Sequence, residues 1–130
     1  MVKIVIVQDL NKGEAKGHPF RGNQYSEGAN TAAKEAARLN TEHEKKYGKP
    51  FGRGSNAAVS RDAAIASQEA HGATKKGSSD AIAMHYRAAS FHQIAAEQIK
   101  SSHGSMEAVA KHEEAYRLHV KAMNARSSKT

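Results

Sequence analysis

Four of the eight histidines in this 130-residue chain are spaced with a regularity that invites chemistry. His85 and His92 stand seven residues apart, and so do His112 and His119. An imidazole can ligate a metal, relay a proton or change charge near neutral pH. A helix that chelates a metal alone presents histidines at i and i+4, whereas i and i+7 lie two turns apart. Only pairs taken across two helices, His85 with His119 or His92 with His112, are candidate ligands, and they are weak ones. No carboxylate completes a set, because Glu113 and Glu114 fall elsewhere on the heptad. The expectation is therefore no metal and no cofactor, with core histidines bonded to Ser, Tyr or a partner. Buried rings of this kind resist charging, so acid should loosen the helices that carry them.

Those histidines sit in two segments that repeat each other, residues 81–95 and 108–122. An offset of 27 residues superposes Ala81, His85, Ala88, His92 and Ala95 on Ala108, His112, Ala115, His119 and Ala122. Steps of four and three mark the seam of two helices packed along their length. Between them, Gly104 suits the left-handed position that ends a helix, and Ser105 suits the next N-cap, with Glu107 in its first turn. So short a turn makes the two helices antiparallel neighbours. With the turn centred between His103 and Gly104, each imidazole faces an alanine methyl and the rings form a staggered ladder, neighbours alternating between helices.

Two further helices are expected upstream. Ala29, Ala32, Ala33, Ala36, Leu39, His43 and Tyr47 fall on one stripe of a helix over 27–47, opposite Lys34, Glu35, Arg38, Glu42 and Lys46. The Gly/Pro-rich residues 48–54 end it. Ser55 or Asn56 caps a second helix over 56–70, with Val59, Ala63, Ala66 and Ala70 as its seam and His71-Gly72 through Gly77 as a break. The last two helices are placed at 79–102 and 105–126, with 127–130 a disordered tail. The fold class is all-α: a four-helix up-down bundle or helical-hairpin array over 29–126, preceded by an N-terminal extended β arm over 1–28.

That arm opens on Val2-Lys3-Ile4-Val5-Ile6-Val7, the one strong β signal. A lone strand must pair, either with a segment of the following loop or in trans with a copy or a partner's sheet edge. It is too short for a secretory signal, and no apolar run is long enough to cross a membrane. Residues 8–28 read as an extended connector in which Phe20 and Tyr25 are the large anchors.

Bulk properties narrow the function. Aromatic residues make up 5% and the apolar fraction is largely alanine, so burial yields little transfer energy. Helix contacts should be thin, and oligomerisation or a partner would offset that. Without cysteine, disulfides and thiolate metal sites are excluded. A net charge of +7 suits nucleic acid or an acidic protein surface, yet residues 1–54 carry +4 and residues 55–130 carry +3, so the charge is spread. Arg38, Lys45, Lys46, Lys49 and Arg53 are the candidate nucleic-acid contacts. No helix-turn-helix spacing or aromatic platform accompanies them. No serine has a nucleophile-elbow setting, and the glycines at 48, 52 and 54 follow no strand, so no catalytic residue is assigned.

The run Gly17-His18-Pro19-Phe20-Arg21-Gly22-Asn23-Gln24-Tyr25 resembles a short motif recurring in proteins of tailed bacteriophages and prophages. There it tends to lie in linker or tail regions of virion-associated and small accessory proteins, often before a Gly-rich or Ala-rich stretch. The resemblance covers nine residues and implies a setting, not an activity: a non-enzymatic accessory protein in the host bacterial cytoplasm, incorporated in the virion or engaged in its assembly. The expected partners are copies of the chain, through its Ala-rich faces, and phage structural proteins, with no membrane. Val2, Ile4, Ile6, His18, Pro19, Phe20, Arg21, Asn23, Gln24 and Tyr25 are the candidate partner contacts. The alternative is a basic nucleic-acid-binding or host-directed, anti-defence phage factor.

Overall fold

A computed structural model describes residues 23–48 and 55–127. Four helices account for them: α1 (Asn23–Tyr47), α2 (Asn56–Lys76), α3 (Ala81–Ser101) and α4 (Met106–Ser127). Each packs on its neighbours in chain order and α4 closes back on α1, so the helices form a four-helix bundle. The β arm expected over 1–28 falls, apart from residues 23–28, outside the described residues, and with it Val2, Ile4, Ile6, His18, Pro19, Phe20 and Arg21. Lys49 and Arg53 also lie outside them. No described helix is long and apolar enough to cross a membrane.

One pattern of residues builds all four seams. Ser26, Ala29, Ala33, Ala36 and Asn40 in α1, and Ser60, Ala63, Ser67, Ala70 and Thr74 in α2, are buried at steps of three and four. Ala81, His85, Ala88, His92 and Ala95 in α3 face Ala108, His112, Ala115, His119 and Ala122 in α4. The alanines of these seams are all 0% exposed. Alanine lets backbones approach and favours helix but supplies little apolar area. Bulkier apolar contacts gather at Ile99, where Leu39 and Val109 pack, and around Met84 and Phe91 against Ala66, Ala70 and Ala88.

Three boundaries differ from the sequence expectation. α1 begins at Asn23 rather than near residue 27, so Asn23, Gln24 and Tyr25, the end of the 17–25 run, lie in the helix's first turn. Ser26 explains this: it is wholly buried, and its Oγ bonds His71 Nδ1 at 2.8 Å, which fixes this turn against α2. α2 does not break at His71-Gly72 but continues to Lys76, because Ala73 and Thr74 are core residues and an added Cβ at Gly72 would meet open space. Gly77, at φ 71°, ends it, with its own N–H and that of Ser78 closing on Thr74 and Ala73 carbonyls.

The third difference is at the α3–α4 turn. His103, not Gly104, takes the left-handed conformation, at φ 59°. Gly104 serves another purpose: a Cβ there would sit 2.7 Å from Asn56 Nδ2 and 2.9 Å from Ile99 Cγ2. Asn56 needs that space, since it donates to Ser102 Oγ and accepts from Gln98 Nε2, tying the start of α2 to this turn. Two opposite outcomes follow. His103→Gly should raise stability by about 0.5–1 kcal/mol, by relieving the left-handed penalty. Gly104→Ala should lower it by about 1–3 kcal/mol through overpacking. Urea unfolding of the two variants checks both; the same sign for both would contradict this division of roles.

The expected caps are present. Ser55 accepts from Ala58 N and Ser105 from Ala108 N. Glu44, in the last turn of α1, accepts from Ser55 Oγ at 2.7 Å and from Ala57 N, so one carboxylate locks α1 to the N-terminus of α2.

Candidate functional site

The seam alternates alanine with a polar residue, and the polar layers of three helices fall at matching heights. Ser60, Ser67 and Thr74 recur every seven residues along α2. His85 and His92 do so on α3, and His112 and His119 on α4. All seven side chains are inaccessible to solvent. A buried polar group costs roughly 1–3 kcal/mol when left unpaired, so each must find a partner inside.

They find one another. His85 Nδ1 and His119 Nδ1 lie 2.7 Å apart, as do His92 Nδ1 and His112 Nδ1. Ser67 Oγ bridges the two pairs, 2.6 Å from His92 Nε2 and 2.7 Å from His119 Nε2. At one end, Thr74 Oγ1 meets His85 Nε2 at 2.6 Å and donates to Ala70 O at 2.9 Å. At the other, Ser60 Oγ meets His112 Nε2 at 2.5 Å and takes a hydrogen from Asn40 Nδ2 of α1. One continuous chain thus runs from Asn40 through Ser60, His112, His92, Ser67, His119, His85 and Thr74 to the Ala70 carbonyl.

The ends fix where every hydrogen lies. A carbonyl only accepts, so Thr74 spends its hydrogen on Ala70 O and must accept from His85 Nε2–H. The Nδ1 of neutral His85 is then an acceptor for His119 Nδ1–H. His119 Nε2 accepts from Ser67, whose oxygen in turn accepts from His92 Nε2–H. His92 Nδ1 accepts from His112 Nδ1–H, and His112 Nε2 accepts from Ser60, which accepts from Asn40. All four rings are neutral and every bond points the same way. The α3 rings carry their hydrogen on Nε2 and the α4 rings on Nδ1. Imidazole ¹⁵N spectra at pH 7.5 should show two rings of each tautomer; four of one kind would refute this assignment.

Burial opposes charge on three of these rings. It holds His92 down to about 3, helped by its neighbour His112, and His112 down to about 4. His119 is held well below the ordinary imidazole value by burial and then by the proximity of His85, His92 and His71. His71, half-buried beside Ser26, is also lowered, by burial and Lys75, with Glu27 opposing.

The staggered ladder is as the spacing implied: ring centroids lie 5.0, 5.5 and 5.0 Å apart in the order His85, His119, His92, His112. Its contacts differ from expectation. Rather than each ring facing only a methyl group, the rings meet in pairs, because a buried N–H needs an acceptor and a methyl offers none. Both nitrogens of every ring are engaged within the chain, and among the described residues no group of three or more His, Asp or Glu side chains is arranged to hold a metal ion. Ser60, Ser67, Thr74 and Asn40 did not stand out as site residues in the sequence. Their signal was present as the seven-residue spacing of hydroxyls in phase with Ala63 and Ala70.

The other candidates are scattered. Arg38 is clasped by its own helix: Nε and Nη2 bond Glu35 and Nη1 bonds Glu42 at 2.6 Å. Lys45 and Lys46 are exposed at the end of α1, with Lys46 Nζ 5.4 Å from the Tyr47 ring centroid. Tyr25 is half-buried beneath Lys121 Nζ of α4, and Gln24 is exposed on the groove between α1 and α4. Compared with known proteins, the chain matches no family model, no curated protein and no solved structure.

Proposed function

We propose that the chain is a non-enzymatic accessory protein of a tailed phage or prophage that works by protein–protein association. One observation carries the non-enzymatic part. The groups best suited to acid–base or nucleophilic work, four imidazoles and three hydroxyls, are wholly enclosed and bonded to one another, out of reach of a substrate. The phage setting rests on the motif over residues 17–25, and the virion or its assembly intermediate is the natural place for such a protein.

The association surface is not the alanine seam, which the bundle uses to close on itself. Large apolar side chains left exposed on its outside are Tyr47, Ile65, Tyr86, Ile94 and Met106. With residues 1–22 they are the contacts this reading assigns to copies of the chain or to phage structural proteins. The rival, a nucleic-acid-binding or anti-defence factor, draws on the +7 charge. It is weakened by the pairing of Arg38 with Glu35 and Glu42. Light scattering during gel filtration, on nuclease-treated protein in low and then high salt, separates them. A salt-resistant oligomer supports association. A monomer that binds nucleic acid in low salt and releases it in high salt overturns the proposal.

A further inference from the structure

We infer that the buried histidine–hydroxyl chain is an acid-operated latch: the closed bundle houses one added proton, and a second opens it. The inference rests on counting hydrogens. From Asn40 to Ala70 O the chain has eight links, and with all rings neutral each link holds one hydrogen. An added proton fits only if one end withdraws a hydrogen. Ala70 O has none to withdraw. Asn40 has, because turning its amide presents Oδ1, an acceptor, to Ser60.

The first proton can then rest on any of the four rings. An imidazolium at His85, for example, donates to Thr74 and to His119 Nδ1. His119 Nε2–H then donates to Ser67, Ser67 to His92 Nε2, His92 Nδ1–H to His112 Nδ1, His112 Nε2–H to Ser60, and Ser60 to Asn40. Every link is again filled once. A second proton has no vacant link, so two hydrogens would oppose each other across a gap of 2.5–2.7 Å. The side chains can escape only by parting, and the chain spans α2, α3 and α4.

Nothing inside offsets a second charge. α1 presents Asn40 and Ser26 to the core, α2 presents Ser60, Ser67, Thr74 and the titratable His71, and α3 and α4 present the rings themselves. No Asp, Glu, Lys or Arg is buried among the described residues. Glu97, Lys100, Glu113 and Arg117 line the outer α3–α4 groove that reaches His92, and Lys100 pairs with Glu113 at 2.9 Å. Burial also opposes charge on His92, His112 and His119 in the closed state.

The sign follows from comparing the two states. Unfolded, each ring titrates near its ordinary value of about 6.5 and takes its own proton; closed, the four share at most one. Stability is therefore full above about pH 6.5 and is lost as pH falls toward the depressed folded values. Near pH 5–6 opening takes up about three protons, so the unfolding equilibrium constant should rise about a thousandfold per pH unit. Carboxylates add little to the uptake in that interval, because the ordinary carboxylate value of about 4 lies below it.

The test is urea unfolding of the full chain at pH steps from 7.5 to 4.5, beside a His43→Gln/His71→Gln/His103→Gln variant that lacks three histidines outside the latch, His71 among them because its value is also lowered. A slope near three protons between pH 6 and 5, kept by the variant, is the expected result. A slope below two protons, or one that vanishes in the variant, would overturn the latch.

Discussion

Replacing Ser67 with alanine is expected to cost about 2–6 kcal/mol, although it removes a single oxygen. Ser67 Oγ sits at the middle of the chain, 2.6 Å from His92 Nε2 and 2.7 Å from His119 Nε2. Without it, the His92 N–H loses its acceptor and the His119 nitrogen loses its donor, both where water does not reach. Each orphaned group costs roughly 1–3 kcal/mol, more than the net worth of the bond it made, because the desolvation is no longer offset. Against a total stability of about 5–15 kcal/mol for a domain, that is a large share. Ser90→Ala is the matched control: its hydroxyl only back-bonds Tyr86 O one turn earlier, and its loss should change stability by less than about 0.5 kcal/mol. Urea unfolding at pH 7.5 gives the comparison. If Ser67→Ala loses no more than Ser90→Ala, the bridge is not holding the core.

How much of this was legible in the residues depended on which residue type carried the signal. Steps of four and three with alanine at the small positions declare a helix seam on their own, so the four helices and the ladder of rings were readable. Ser60, Ser67 and Thr74 were not, because serine and threonine on a helix usually face solvent or bond their own backbone. Their seven-residue spacing acquires meaning only beside the equal spacing on α3 and α4. Taking Val59 as a seam residue placed the face of α2 one position away from Ser60; Val59 is half-buried and Ser60 wholly so. The turn after α3 misled for a related reason. A glycine near a helix end suggests a left-handed backbone, but Gly104 answers to side-chain space beside Asn56 and Ile99, and His103 bears the conformation. Local sequence reports local geometry; space demanded by a residue 48 positions earlier, Asn56, is not local.

Removing the chain altogether should have the opposite effect from cutting it. In a variant carrying Ser60→Ala, Ser67→Ala, Thr74→Val and leucine at 85, 92, 112 and 119, no buried donor or acceptor of the chain between Ser60 and Thr74 is left to orphan. Asn40 keeps a donor without Ser60, and Asn40→Leu completes the set. Replacing a satisfied buried polar network with apolar residues of similar size is commonly neutral or stabilising by about 1–4 kcal/mol. Melting at pH 7.5 should therefore hold or rise, and the steep loss between pH 6 and 5 should disappear with the rings. What the variant should lose is uniqueness. Alanine seams look alike in every layer, so methyl packing alone barely distinguishes one register from a slide of one heptad. The polar chain does distinguish them, because a slide of α2 by seven residues leaves one of its three hydroxyls without its ring partner and a ring nitrogen bare. Broad amide resonances and a mixture of masses in gel filtration would mark that loss. Sharp, single-state spectra from the apolar variant would mean that the alanine seams already specify the register, and that proton response, rather than structural specificity, is what the buried histidines contribute.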